Sequence, residues 1–436
     1  MIEELKNAVG KIGRDRIFLG IDLTDEFSQI SYCMSGEEPK TMSLVTGVDR
    51  LCIPTLIAKK YGESMWTYGE DAIAMADANE GFLVDKLIER ARNGRAVEVE
   101  SADYDPGDLL ALFLRKCLSR LTAVTPLEKV AAIVITVDDP DEDMVRILNH
   151  VVKTLRLKPE RVYFQSHAES AYHYMLHQPL ELHAQDICLC NLTGSGLSVM
   201  LYLQNIQTRP HVMIMQEMKY EDFVPEDFTM MRNPEVRKKK KDEYFKTILH
   251  TALKDRLISA VYLLGDGFEG DWCQESLKYL CNGRRAFRGN NLFSKGACYS
   301  AMERLEPSDV ENGIVFLGKD KVKANIGMKV MRGGTEAYMA LLDAGRNWYD
   351  CVRECDLLLE REEKLELIVT PLNGKDVKNI PVYLSGVPRR DRRSTRIHLE
   401  LKMLSESKAG LTITDMGFGE FFPPSGLQWE SEFKII

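Results

Sequence analysis

No apolar stretch in this sequence approaches the roughly 18 residues that a helix needs to cross a bilayer. The opening M-I-E-E-L-K-N-A-V-G-K-I-G-R also lacks the apolar centre of a signal peptide, so neither a membrane partner nor export is expected. Positive charge is in short supply: Lys and Arg number 57 against 66 Asp and Glu, and a net charge of -9 argues against unspecific nucleic-acid binding. The longest basic run, Arg237 to Lys241, is followed at once by Asp242 and Glu243 and reads as a solvated helix start or loop. The ten cysteines include no C-x-x-C pair. Cys188 and Cys190 share a strand face and Cys351 and Cys355 are helix-spaced, so neither zinc nor a disulfide framework is expected. A G-x-S-x-G elbow is missing too, which removes the serine-hydrolase signature. These absences describe a reduced, cytoplasmic chain with no nucleic-acid partner.

What is present is core-forming sequence, enough in 436 residues for two or three domains. The organising stretch is Arg16 to Cys33, R-I-F-L-G-I-D-L-T-D-E-F-S-Q-I-S-Y-C. Ile17, Phe18, Leu19 and Ile21 form the short apolar run of a strand buried on both faces. Gly20 interrupts it where a missing side chain lets another backbone or a ligand come close. Asp22 and the polar turn Thr24, Asp25, Glu26 follow, and then an outgoing strand. A second hairpin, Asp186 to Leu203, repeats the pattern around a small-residue turn, Thr193 to Gly196. A third glycine turn, Gly265-Asp266-Gly267, follows the apolar run Ala260 to Leu264, a common place to seat a nucleotide.

Between these landmarks, Gly81 to Arg92 and Asp108 to Leu121 show helical periodicity. Val130 to Val137 reads as a buried strand followed by an acidic helix start, D-D-P-D-E-D. Two hairpins, each heading a unit with helices behind, suggest an internally duplicated α/β fold. From about Gly313 the texture changes to short alternating strands, the pattern of an all-β sandwich, with a boundary in the polar stretch Glu306 to Asn312.

The order of these parts resembles the DnaK-type, seventy-kilodalton heat-shock chaperones of the actin-like ATPase superfamily, and beyond them an uncharacterised clostridial branch. The segment from Ala132 to Phe164 is similar to the family's strand-helix-strand before its asparagine-glutamate-proline motif. Y-L-L-G-D-G-F resembles the adenosine loop, and N-L-F-S-K-G-A-C-Y-S-A-M the helix that closes the nucleotide domain. The strongest similarity is C-terminal, where Tyr383 to Asp415 and Asn325 to Met339 resemble the peptide-binding β-domain. The resemblance implies an actin-like, duplicated ribonuclease-H-like α/β domain over residues 1–305, with halves at about 1–184 and 185–305. A β-sandwich over 306–436 would follow. It further implies ATP or ADP with magnesium near Gly20, Asp22, Thr24, Thr193, Gly194, Ser195, Gly196, Gly265, Asp266 and Gly267, with Asp22 on the metal.

The chemistry departs from that family. Hydrolysis there needs carboxylates around magnesium, glycine amides on the phosphates and a lysine near the γ-phosphate. Here the first turn carries two acids, Asp25 and Glu26, which repel phosphate. Asn191 and Ser198 stand at carboxylate positions, and Gln165-Ser166-His167 replaces asparagine-glutamate-proline. The lysine position falls near Asp85 or Lys86. The interval from Gly196 to Gly265 is about half of what the chaperones use, so most of one small lobe is missing. The last stretch reads as a strand, so no helical lid is expected.

Each candidate has two readings. Asp22 serves magnesium through water, or is a turn acid bonded to nearby amides. The 193–196 turn cradles an anion, or is a plain hairpin. His167, His173, His177 and His183 find no third ligand at metal spacing and read as solvated or helix-packing. Met328, Met331, Leu384, Val387, Ile397, Leu399 and Leu401 line a peptide groove, or fill the sandwich core. Phe421 and Phe422 beside two prolines form a docking edge or a packed corner. The sequence thus points to a non-catalytic scaffold that binds a protein or extended peptide through the β-sandwich, with nucleotide bound weakly or not at all. A nucleotide sensor or a slow, chaperone-like ATPase is the alternative.

Overall fold

The computed structural model describes residues 16–43, 51–121, 129–207, 211–223, 228, 230–308, 313–360, 363–372, 376–391 and 393–435. The opening stretch read for a signal peptide, and 309–312 of the expected domain boundary, lie outside them. The described chain divides into two compact units, residues 1–318 and 319–436.

In the first unit Ile17–Leu23 is buried along its whole length because it lies inside a sheet. It runs antiparallel to Phe27–Met34 and parallel to Val130–Val137, which is itself parallel to Val162–Ser166. Lys40–Thr41 pairs on the far side of Phe27–Met34. A second sheet has the same order and directions. Asp186–Thr193 is antiparallel to Gly196–Asn205 and parallel to Ile258–Leu264, which is parallel to Arg285–Arg288. His211–Tyr220 takes the far position beside Gly196–Asn205.

The halves differ in what they insert. The first carries a three-stranded sheet (Trp66–Tyr68, Ile57–Lys60, Gly81–Val84) and the helices Glu70–Asp77, Leu87–Asn93 and Pro106–Leu121. Across 221–257 the second half's described residues form one long helix, Pro234–Ala252, and no strand. Its N-cap is Asn233, whose Oδ1 accepts from the amides of Glu235 and Val236, so the basic run Arg237 to Lys241 lies inside the helix rather than at its start.

Two helices cross between the sheets. His167–Leu176 packs on the second sheet through Ala168, Ala171 and Met175, and Leu292–Leu305 packs on the first through Ala297, Cys298 and Ala301. They meet at Gly296, where a Cβ would lie 1.8 Å from the Ser170 carbonyl oxygen. The second helix also presses on Gly20, where a Cβ would lie 2.1 Å from the Ser294 carbonyl oxygen and 2.3 Å from the Cys298 nitrogen. Gly20 is therefore a packing glycine and not a ligand-binding one, a correction to the sequence expectation.

The second unit holds two four-stranded antiparallel sheets. One is ordered Thr335–Leu342, Ala324–Arg332, Lys364–Pro371, Lys378–Tyr383, and the other Val352–Leu359, Thr395–Met403, Lys408–Gly417, Gln428–Lys434. Alternate residues point inward, so Met328, Leu384, Ile397, Leu399 and Leu401 are buried and fill the core rather than line a groove. Met331 is exposed.

Three further expectations change. Ile314–Leu317, read as the sandwich's first strand, pairs parallel with His211–Tyr220 and extends the first unit to Gly318, so the division lies after 318 and not 305. Gly81 to Arg92 is a strand followed by the helix Leu87–Asn93. Cys355 belongs to the strand Val352–Leu359, so its spacing from Cys351 is not helical. Among the described residues no helix is long and apolar enough to cross a membrane.

Candidate functional site

The two hairpins turn toward each other, and the site is the cleft between them. Asp22 stands near the end of Ile17–Leu23, paired in register with Thr136. Next along the sheet, Val162–Ser166 ends at Ser166, whose hydroxyl accepts the amide of Glu169 and caps the helix that starts at His167. That start aims the His167 ring into the cleft. Its Nε2 lies 2.8 Å from Asp22 Oδ1, and its ring stacks on Phe293 at 4.3 Å with planes 8° apart. Both partners are buried, at 4% exposure for His167 and 8% for Asp22. Burial draws the imidazole pKa down, but the Asp22 charge and hydrogen bond, with Asp138 behind, outweigh it and hold the pKa above the usual histidine value. The carboxylate can only accept, so Nε2 carries the hydrogen of this bond, and the pairing favours the protonated form of the ring.

Gln165 and Ser166 have structural work of their own. The Gln165 amide donates to Ser170 Oγ and accepts from Ser300 Oγ, each at 2.7 Å, and Ser170 donates on to Thr136. This buried chain ties the first sheet to both crossing helices.

The first turn is largely occupied by its own contacts. Thr24 Oγ1 donates to the Phe27 carbonyl at 2.7 Å and accepts the Phe27 amide at 3.1 Å. Asp25 accepts the amides of Ile88 and Glu89 at 2.7 and 3.0 Å, filling the N-terminus of Leu87–Asn93. Glu26 faces the second hairpin, its Oε1 3.0 Å from where a Cβ on Gly194 would stand. Burial, and then the charges of Asp266 and Asp25, raise the Glu26 pKa.

In the second turn Thr193 Oγ1 lies 2.8 Å from Ser195 Oγ and accepts the Ser195 amide. Gly196 has φ +115, and a Cβ there would meet the Tyr220 carbonyl at 2.5 Å, so the turn needs glycine for packing. Gly265 and Gly267 are pressed against Leu192. The Gly267 carbonyl accepts from Trp272 Nε1 at 2.9 Å and Lys241 Nζ at 3.3 Å, which fixes the loop to the helix Pro234–Ala252.

Two cavities flank the facing turns. One, of about 460 Å³, is lined by Asp22, Glu26, Gln29, Asn191, Asp266 and Phe293 among others, with Thr24, Thr193 and Gly265 on its wall. The other, of about 630 Å³, is lined by Thr193, Ser195 and Gly196 together with Asp138, Glu217 and Lys219. Lys219 lies 3.6 Å from Asp138 and 3.7 Å from Glu217. The sequence candidates thus gather at one cleft, apart from Gly20 and Gly267, which pack against neighbouring elements. Gln29, Glu269 and Phe293 were not among those candidates, and His167, read from the sequence as solvated or helix-packing, is instead buried against Asp22. His167 had a signal, because it replaces the motif's proline, but its partner is 145 residues away.

The Asp22 carboxylate is engaged by the His167 imidazole, Glu26 and Asp266 add acid at the first turn and the Gly265–Gly267 loop, and Lys219 lies within 3.7 Å of two carboxylates. Such a lining opposes the charge of a magnesium triphosphate. Among the described residues the only convergence of three possible metal ligands is Asp105, Asp108 and His150, all exposed and none of them lining either cavity. Asp105 there accepts the amides of Gly107 and Asp108 at the start of Pro106–Leu121.

No curated protein matches the chain. A domain of unknown function, DUF8552, matches residues 321–435. The family of unknown function DUF5716, C-terminal part, matches residues 38–319, more than half of the chain and nearly all of the first unit. The chain belongs to the DUF5716 family.

Proposed function

We propose that this protein is a non-catalytic, DnaK-like scaffold whose ancestral nucleotide cleft is closed to magnesium nucleotide and whose second unit engages a protein partner. The observation that carries this is the Asp22–His167 pair. A carboxylate that would orient metal-bound water is instead buried against an imidazole that donates to it, so a group of the chain takes the place a metal's water would occupy. The acids at Glu26 and Asp266 oppose the remaining phosphate charge. The ten free cysteines suit a reducing, cytoplasmic setting.

The second unit's role is supported by the segment after Gly417. Asp415, whose side chain is fully buried, accepts both Arg390 guanidinium nitrogens at 2.7 and 2.8 Å and the amides of Gly417 and Ser425. Arg390 also donates to the Pro423 carbonyl at 2.8 Å. These bonds fix a turn that presents Phe421 at 93% exposure and Phe418 at 45%. A rigid, exposed aromatic is the usual anchor of a protein interface.

The test is the melting temperature with millimolar ATP or ADP plus magnesium. A site filled to 100 times its dissociation constant gains about 2.7 kcal/mol, a shift of a few degrees. No shift is expected. A clear shift overturns the closed-cleft reading, and phosphate release measured alongside it would then separate a slow ATPase from a sensor.

A further inference from the structure

The 460 Å³ cavity has a buried polar floor, an acidic rim and apolar walls. Gln29 forms the floor. It is 3% exposed, its Nε2 reaches Cys52 Sγ at 3.1 Å, and its carbonyl oxygen Oε1 has no hydrogen-bond partner. A buried carbonyl with no donor is costly unless something completes it. The rim consists of Glu26, Asp266 and Glu269, and none of these carboxylates is in a hydrogen bond or ion pair among the described residues. Phe27, Leu264 and Phe293 lie between. Two basic side chains line the same space: His167 bonds Asp22, and Arg288, exposed with Nη1 on the Gly270 carbonyl, supplies one positive charge against the three rim carboxylates.

The rim carboxylates exceed the positive charge in the lining and Gln29 Oε1 lacks a donor, so the space suits a cation that donates hydrogen bonds. A single metal ion is disfavoured, because no three of these carboxylate, thiol or imidazole atoms converge on one point. Acids spread around an apolar-walled space suit a flexible chain with several charges.

We propose that this cavity binds an alkylammonium ligand, a short aliphatic chain bearing two or more protonated amines, with one amine on Gln29 Oε1 and the others on the acidic rim. Methylenes would lie along Phe27 and Leu264. The inference rests on the reading that the cleft is not a nucleotide site. The amines could belong to a free polyamine or to lysine side chains of a partner, and the experiment separates these.

Spermidine, trilysine, magnesium chloride and magnesium ATP are titrated separately into the full chain at low salt, by calorimetry and thermal melting. Saturable binding of spermidine is expected, weakening as salt rises. Binding of trilysine alone would support the same site with a partner's lysines as the source. Gln29→Leu should weaken binding about tenfold while leaving the unliganded melting temperature unchanged or higher, since it removes an unmet polar atom. The exposed triple variant Glu26→Gln, Asp266→Asn, Glu269→Gln should abolish binding while folding normally. The proposal is overturned if neither amine binds, if magnesium ion alone competes equally, or if both variants bind like wild type. Silence toward amines and ATP alike sinks this proposal and leaves the scaffold reading intact, whereas an ATP shift without amine binding sinks both.

Discussion

A histidine buried beside a carboxylate ties protonation to folding, and His167 does so with a defined sign. Its folded pKa lies above the unfolded value of about 6.5. The stabilisation is therefore complete below about pH 6.5 and is lost as pH rises through the raised folded value. Wild type should lose melting temperature over that interval relative to His167→Gln, and parallel profiles would show that the pair carries no charge. His167→Ala leaves Asp22 buried without a partner and should cost about 3 kcal/mol in urea unfolding. The sequence placed both residues near functional motifs, but it could not pair them. Residues so far apart meet only once two strands and a helix start are in register. Gly20 was legible in the same partial way: the need for close approach was readable, while the approaching group, a helix backbone rather than a ligand, was not.

Elements in the first unit are held by close backbone contacts. Gly20→Ala would force the helix Leu292–Leu305 away from the first sheet, and Gly296→Ala would part it from the helix His167–Leu176. Each should destabilise by about 2–3 kcal/mol in denaturant titration with no ligand present. Unchanged stability in Gly20→Ala would return that glycine to the list of ligand contacts. Asp25→Ala removes a helix cap and should cost about 1 kcal/mol. Buried strands such as Val130–Val137 were readable from their apolar runs, and Asp141 from its capping position, where it accepts the Met144 amide. Gly81–Val84 was not, because a four-residue strand beside a short helix gives no period long enough to distinguish. Ile314–Leu317 has the composition of the strands that follow it, and only its parallel partner, far earlier in the chain, assigns it to the first unit.

The described chain divides into two compact units, and calorimetry of the full chain should resolve two unfolding transitions. Arg390→Ala leaves the Asp415 carboxylate buried and unmatched, so it should lower the transition of the second unit by about 3–5 kcal/mol and leave the first in place. A single transition lowered throughout would show that the units do not unfold separately. The change in texture near residue 313 made two units legible, and the shared strand order followed from two similar hairpins. The exact division was not, since it depends on one strand's pairing. The Asp22–His167 bond has a consequence at this scale. In the scaffold proposed above, the group facing Asp22 belongs to the chain, so its presence follows pH and not the supply of metal or nucleotide. A partner held by such a scaffold would be held without a clock, its release left to competition, relocation or destruction of one of the two.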